Sequence, residues 1–90
     1  MILLSLVVVE VGSARADEAF VTDQQGNAVT VVDLATNTAV ATIVVEGHPA
    51  GVAMSRDGLV AYVTSPDAHS LSVIDTVSYT HLTLPTNREV

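Results

Sequence analysis

The chain contains no cysteine, no lysine and no tryptophan, and it has only one phenylalanine and two tyrosines among its 90 residues. Without cysteine, disulfides and thiolate-ligated zinc sites are excluded. Three arginines stand against ten acidic residues, and the formal net charge is −7. Nucleic acid and anionic membranes both attract basic surfaces, so this acidic balance disfavours both as partners.

A gapless internal repeat is the most informative feature that is present. Residues 19–34 return as residues 61–76, an offset of 61 − 19 = 42. Identical or similar residues occupy the paired positions Ala19/Ala61, Phe20/Tyr62, Val21/Val63, Thr22/Thr64, Val29/Leu71, Thr30/Ser72, Val31/Val73, Val32/Ile74 and Asp33/Asp75. A β-rich unit of this period is typical of a four-stranded propeller blade. We therefore predict an all-β fold, namely an incomplete β-propeller fragment of about two antiparallel blades.

The repeat resembles the YVTN family of β-propeller repeats, whose pattern is roughly AYVTN…TVSVIDTATNTVVATIPVG-x-x-P-x-GVAVSPDG. The resemblance covers residues 19–76 and departs from the pattern only in turns, at Asp23, Arg56 and Ser65. It implies that residues 50–55 form an innermost strand beside a central channel and that residues 38–45 form an outermost one. The matching segments are 28–38, 40–43, 47–55 and 57–58 in the first copy, and 61–64 and 71–76 in the second.

Alternating valine and threonine, interrupted by turn residues, predicts three strands in each copy. Gly26 and the neighbouring asparagines suit turns that need positive φ, and Gly58 suits the left-handed position of a hairpin turn. The predicted strands are residues 19–22, 28–33, 38–45, 50–55, 60–64 and 71–75.

Residues 1–16 have the pattern of a secretory signal peptide. An apolar run from Ile2 to Val9 precedes small residues at Ala14 and Ala16, which a signal peptidase accepts. The run is too short to span a bilayer, which takes about 20 residues. We predict cleavage after Ala16, and a buried N-terminal strand is the alternative.

Residues 77–90 lose the repeat pattern. The string VSYTHLTLPT at residues 77–86 resembles one reading frame of the transposon adapter used in sequencing libraries. We interpret residues 77–90 as a translated adapter tail that is not native, with a natural capping tail as the alternative. Residues 17–76 then form the native partial propeller, and such a fragment alone is expected to be unstable or to aggregate, because its blades lack neighbours.

Candidate chemistry is sparse, and we predict no catalytic, cofactor-binding or metal-binding residue. His48 and His69 occupy non-equivalent positions of the repeat, and His81 belongs to the predicted tail. Two histidines without further ligands do not make a metal site, and a solvated turn position is the simpler interpretation of His48. Asp33 and Asp75 recur one repeat apart, and we expect each carboxylate to accept hydrogen bonds from the backbone N–H groups of the turn that follows.

Two function classes remain open. The resemblance implies a non-catalytic binding scaffold, periplasmic or secreted to the cell surface, with a protein, a surface polymer or a small ligand as partner. It would have no membrane span after signal removal. The alternative is a fragment of a redox or hydrolytic propeller similar to nitrous oxide reductase, haem d nitrite reductase, amine dehydrogenase subunits or lactonases. Fold alone does not decide between them.

The adapter interpretation makes a testable prediction about the gene. Independent reads of the same locus should diverge from VSYTHLTLPT after the codon of Asp75 and continue with a third repeated strand. Sequencing across the locus by a method that uses no transposon adapter is the measurement. Genomic reads that encode the same ten residues would contradict the interpretation.

Overall fold

The computed structural model describes residues 4–9 and 18–86, and of residues 4–9 the backbone alone. These residues are all-β, as the repeat predicts, apart from a single 3-10 turn. In the described ranges no helix is long and apolar enough to cross a membrane. The elements are β1 Leu4–Val9, β2 Glu18–Asp23, β3 Ala28–Asp33, β4 Thr38–Val44, β5 Gly51–Met54, β6 Val60–Ser65, a 3-10 turn at Pro66–Ala68, β7 Ser70–Asp75 and β8 His81–Pro85.

The strands form two antiparallel sheets in chain order. The first sheet is β1-β2-β3-β4 and the second is β5-β6-β7-β8. All six predicted strands are present, as β2 to β7. Two further strands complete the sheets, because β1 pairs with β2 and β8 pairs with β7. Unpaired edge strands expose rows of N–H and C=O groups that readily accept another extended segment. β1 and β8 form hydrogen-bonded pairs with β2 and β7, which would otherwise be edge strands.

β1 lies within the predicted signal peptide, and β8 lies within the predicted adapter tail. The proposed cleavage site at Ala14-x-Ala16 and residues 87–90 lie outside the described residues. Strand pairing tests neither export nor the origin of the DNA, so both interpretations stay predictions.

The 42-residue offset is kept in the strand pairing. Phe20 lies opposite Val31 across β2 and β3, and the equivalent residues Tyr62 and Val73 lie opposite each other across β6 and β7. Each copy of the sequence repeat therefore folds into the same strand pair.

The outer strands of the two sheets differ. Val31 pairs with Ala41 and Val32 with Ala39, which leaves Val40 as an unpaired bulge residue in β4. β8 pairs with β7 without such a shift. Ile43 in β4 and Val45 just beyond it are buried, whereas every residue of β8 is exposed. The two sheets therefore agree in the pairing of their central strands and differ in their outer strands, β4 and β8.

The two sheets stack through unlike faces. We call the front face the side that carries Phe20, Thr22, Val29 and Val31 in the first sheet and, by the repeat, Tyr62, Thr64, Leu71 and Val73 in the second. The opposite side is the back face, which carries Val21, Thr30 and Val32 in the first sheet and Val63, Ser72 and Ile74 in the second.

Burial shows which faces meet. The four front-face residues of the first sheet are 0% exposed, whereas Tyr62 on the front face of the second sheet is 40% exposed. In the second sheet the back-face residues Val63, Ser72 and Ile74 are the ones at 0%. One hydrophobic cluster joins the front face of the first sheet to the back face of the second: Phe20, Val29, Val31, Ile43, Val45, Ala61, Val63 and Ile74. One front face and one back face are left free.

The linker between β4 and β5 runs from the edge of the first sheet to the 3-10 turn of the second. The Val45 N–H donates to the Asn27 carbonyl at 2.9 Å. Gly47 has φ 89°, and a Cβ built on it would lie 2.3 Å from the Cβ of Ala68, in the 3-10 turn of the second sheet. Glycine is required here because the linker passes directly over that turn.

The turn residues follow the sequence prediction except at one position. Asn27, Asn37 and Gly58 have positive φ, as expected, but Gly26 does not. Its role is steric, because the Asp23 carboxylate accepts the Gly26 N–H at 3.0 Å and a Cβ would lie 2.4 Å from an oxygen of that carboxylate. Asn27 supplies the left-handed residue instead.

Alanine substitutions at Gly47 and Gly58 should separate conformational cost from steric cost. Both residues have positive φ, which costs a non-glycine residue about 1–3 kcal/mol. Gly47→Ala should cost more than Gly58→Ala, because its new methyl group also collides with Ala68. The free energy of unfolding from urea titration followed by circular dichroism is the measurement. Equal losses in the two variants would show that the linker does not press on the second sheet.

Candidate functional site

His48 lies in the linker between the sheets, at a turn as the sequence predicts. Its backbone N–H donates to the Asn27 Oδ1 at 2.9 Å, and its Nδ1 lies 3.1 Å from the Asp67 Oδ2. The two side chains are 54% and 73% exposed. Exposed ion pairs contribute about 0–1 kcal/mol. The contact links the linker to the 3-10 turn of the second sheet and contributes little to stability.

His69 follows the 3-10 turn in a left-handed conformation with φ 51°. Its N–H donates to the Pro66 carbonyl at 3.1 Å, and its own carbonyl accepts the Thr86 N–H at 2.7 Å. Since 27 + 42 = 69, His69 stands where the first repeat has Asn27. His69 therefore occupies a turn position at which both copies have a left-handed backbone conformation.

Metal-ligating side chains do not gather within residues 18–86: no three of His, Asp, Glu or Cys come together there as they would around a metal ion. His81, the third histidine, is exposed at the start of β8. The histidines thus contribute separate local contacts to the described part of the chain.

Asp33 and Asp75 occupy equivalent turn positions and accept backbone hydrogen bonds, as expected. Asp33 Oδ1 accepts the Ala35 N–H at 2.8 Å, and Asp75 Oδ1 accepts the Val77 N–H at 2.8 Å and the Ser78 N–H at 3.2 Å. The two bonds to Asp75 favour its charged form. The Val77 N–H, followed by the Ser78 N–H, lowers the pKa of Asp75 below its ordinary value.

The hairpin turn between β5 and β6 contains a third such carboxylate, Asp57. Ser55 Oγ donates to Asp57 Oδ1 at 2.7 Å and the Leu59 N–H donates to it at 3.0 Å. These two bonds, the Ser55 bond first, lower the pKa of Asp57. The Thr76 Oγ1 donates to the Gly58 carbonyl at 2.7 Å and so ties this turn to the end of β7. The Thr76 contact could not be predicted from the repeat.

Contacts across the sheet stack distinguish residues that the sequence treats alike. Thr22 and Thr64 are equivalent, yet Thr22 is buried and donates to the Ala50 carbonyl at 3.4 Å, while Thr64 is exposed. Tyr79, in the predicted tail, donates its hydroxyl to Glu18 Oε2 at 2.5 Å. Thr22 and Thr64 differ because, of the two front faces, only that of the first sheet is covered.

The second sheet carries two concavities. One, of about 350 Å³, is lined by Val60, Val73, Asp75, Thr80, His81 and Leu82. The other, of about 460 Å³, is lined by Thr64, Ser65, Pro66, His69, Ser70, Leu71 and Thr86. Front-face residues line both: Val73 and Leu82 the first, Thr64 and Leu71 the second. The other lining residues include Pro66, His69, Thr80 and Thr86, which lie outside the strands. The carboxylate in the lining, Asp75, already accepts hydrogen bonds from its own turn.

The chain matches no model of a known protein family, and no curated protein gives a significant match.

The pKa of Asp75 predicts how the stability of the chain depends on pH. Folding lowers this pKa from its ordinary value of 3.8. The charged carboxylate therefore stabilises the folded chain fully at a pH above 3.8, and this stabilisation is lost as the pH falls through the lower pKa of the folded state. Asp75→Asn should therefore lower the Tm at about pH 7, and the difference from wild type should shrink below about pH 4. Thermal unfolding at several pH values measures this.

Glu46→Gln is the matched control, because it also removes one exposed carboxylate near the end of a strand. Its Tm should follow that of the wild type throughout. A constant deficit of Asp75→Asn from pH 7 to about pH 2 would contradict the role of the charged form.

Proposed function

We propose that the chain is part of a YVTN-type β-propeller that acts as a non-catalytic binding scaffold, periplasmic or secreted to the cell surface. The observation that carries the proposal is the stacking of two repeated sheets through unlike faces. A contact between unlike faces can be repeated by every added unit, and it yields a ring when the rotation closes. Propellers close with about 4–8 such blades.

The arrangement within each sheet supports the same proposal. Four strands follow one another in chain order, and β5, the first strand of the second sheet, packs beside β1 and β2 of the first. β1 lies in the predicted signal peptide, but the contact of β5 with β2 involves no residue of that segment. A radial arrangement of blades requires such a contact between the inner strands of successive sheets. β4, by contrast, carries exposed residues along most of its length.

The repeated polar residues support a scaffold over a catalyst. Asp33 and Asp75 recur in both copies, and their carboxylates bind the backbone of their own turns. Repeated residues of this kind stabilise each unit. Binding would then depend on positions where the copies differ, such as His69 in place of Asn27, and on the acidic surface that the net charge of −7 implies.

Expression of the full-length gene tests the proposal. The mature protein should be recovered from the periplasm or medium with Asp17 as its first residue, and elemental analysis and absorbance spectra should show no stoichiometric metal or haem. It should cosediment with isolated cell envelopes before and after EDTA treatment, and not with DNA. Stoichiometric copper, iron or haem, or a downstream CxxCH motif, would overturn the scaffold in favour of a redox propeller. Lactonase activity would overturn it in favour of a hydrolytic one.

Ala16→Leu provides the control for export, because a large residue at the predicted cleavage position should block processing. Gly12→Ala, outside the Ala14-x-Ala16 site, should be processed normally. An intact Met1 in the secreted wild-type protein would contradict the signal peptide and leave the scaffold proposal to the binding data.

A further inference from the structure

We infer that the Asp57–Gly58 peptide bond is a site of spontaneous backbone isomerisation, and that the hairpin between β5 and β6 suppresses the reaction while the chain is folded. An isoaspartyl linkage at position 57 then records that a molecule has unfolded. The inference does not rest on the proposed binding function, and the residues that carry it all lie between β5 and the first residue of β6.

The sequence singles out this peptide bond. Asp57–Gly58 is the only place in the chain where an aspartate or an asparagine precedes a glycine. Such a pair is reactive, because glycine has no side chain to hinder the attack of its own backbone nitrogen on the carboxyl group before it. Asp57 is exposed, so water reaches the site. Other aspartates precede larger residues, among them Gln24, Leu34 and Ala68.

The reaction has two steps, and water is the only co-reactant. In the first step the Gly58 nitrogen loses its proton and bonds to Cγ of the protonated Asp57 carboxyl group, while the C–OH bond breaks and water leaves. The product is a five-membered succinimide. In the second step water adds to one of its two carbonyl carbons and breaks the bond from that carbon to nitrogen. Attack at the main-chain carbon gives isoaspartate, and attack at Cγ restores aspartate.

The folded hairpin engages the attacking group. The Gly58 N–H donates to the Ser55 carbonyl at 3.0 Å, and Gly58 is buried. The Ser55 N–H donates to the Val60 carbonyl at 2.8 Å and so closes the strand pair around this turn. Because the attack requires that the Gly58 nitrogen give up its proton, a hydrogen bond that uses this proton opposes the first step.

The hairpin also engages the group that is attacked. Asp57 Oδ1 accepts the Ser55 hydroxyl at 2.7 Å and the Leu59 N–H at 3.0 Å. These bonds hold the carboxyl group in place and favour its charged form, which lacks the proton that leaves with water. The Ser55 Oγ is fixed in turn, because it accepts the Val60 N–H at 3.0 Å. Ser55 thus binds Gly58 through its carbonyl and Asp57 through its hydroxyl.

The isomerised linkage is incompatible with this turn. An isoaspartyl residue adds one atom to the main chain and leaves the original main-chain carboxyl group as a side branch. The spacing that brings the Gly58 N–H to the Ser55 carbonyl is then lost. A molecule that isomerises while it is unfolded therefore cannot rebuild the same hairpin, and the modification marks it permanently.

Incubation of the 90-residue chain in water labelled with heavy oxygen tests the inference, because hydrolysis of the succinimide incorporates one solvent oxygen. Peptide mass spectrometry locates the label, and electron-transfer fragmentation distinguishes isoaspartate from aspartate. At neutral pH, folded wild type should label at position 57 at least about 10-fold more slowly than the chain in guanidinium chloride. Ser55→Ala should label at least about 5-fold faster than folded wild type. Ser55→Thr, which keeps the hydroxyl group, should label like wild type.

Two controls separate the local contacts from general stability, and circular dichroism verifies the fold of each variant. Asp33→Ala removes a similar bond from the turn between β3 and β4 and should label like wild type at position 57. In guanidinium chloride, Ser55→Ala should match wild type, whereas Gly58→Ala should react more slowly because its methyl group hinders the nitrogen.

Equal labelling of folded and denatured wild type overturns the inference. It is also overturned if folded Ser55→Ala labels no faster than Ser55→Thr, or if Asp33→Ala labels as fast as Ser55→Ala.

Discussion

Strands that are apolar on both sides are stabilised when other elements cover them, and the rest of the structure depends on how far this is achieved. In β3, Val29 and Val31 point to one face while Thr30 and Val32 point to the other, and neither face can be left in water without loss of hydrophobic stabilisation. A single sheet cannot cover its own faces. Stacking the back face of the second sheet covers the front face of the first, and the linker approaches the 3-10 turn of the second sheet closely at Gly47.

The sequence is sufficient to predict the central strands, because period-2 alternation and turn residues are local signals. β3 begins and ends at the predicted residues, and β6 and β7 extend the predicted strands by one residue each. The repeat does not predict β1 and β8, although an N-terminal strand is the alternative for residues 1–16 and residues 79–84 alternate between polar and apolar side chains. Their pairing depends on which sheet edge is open. The assignment of positive φ to Gly26 was wrong for a related reason: the Asp23 carboxylate occupies the space beside this glycine, and Asn27 takes the left-handed position.

Polar contacts between neighbours in sequence could be predicted, whereas contacts between distant residues could not. The bonds of Asp33 to its own turn lie within a few residues, so the sequence was sufficient to predict them. The contacts of Tyr79 with Glu18 and of Thr22 with the Ala50 carbonyl join residues that are far apart in the chain. These contacts depend on how the sheets stack, and no pattern in the sequence specifies that geometry. Backbone conformation is the same at equivalent turn positions even where the side chains differ, since Tyr79 adopts the left-handed conformation that Asn37 adopts one repeat earlier.

The asymmetry between front and back faces has an evolutionary consequence. A unit that carries both halves of one interface can be duplicated in the gene without inventing a new contact, because each extra copy arrives with a surface that already fits its neighbour. Gain or loss of whole units of 42 residues keeps these faces matched, whereas an insertion of one residue inside a strand would turn the side chains beyond it to the opposite face. A substitution within one unit affects one interface at a time. Val29 of the first copy is replaced by Leu71 in the second, which changes the front face alone, so only the next unit along the chain must adapt to it.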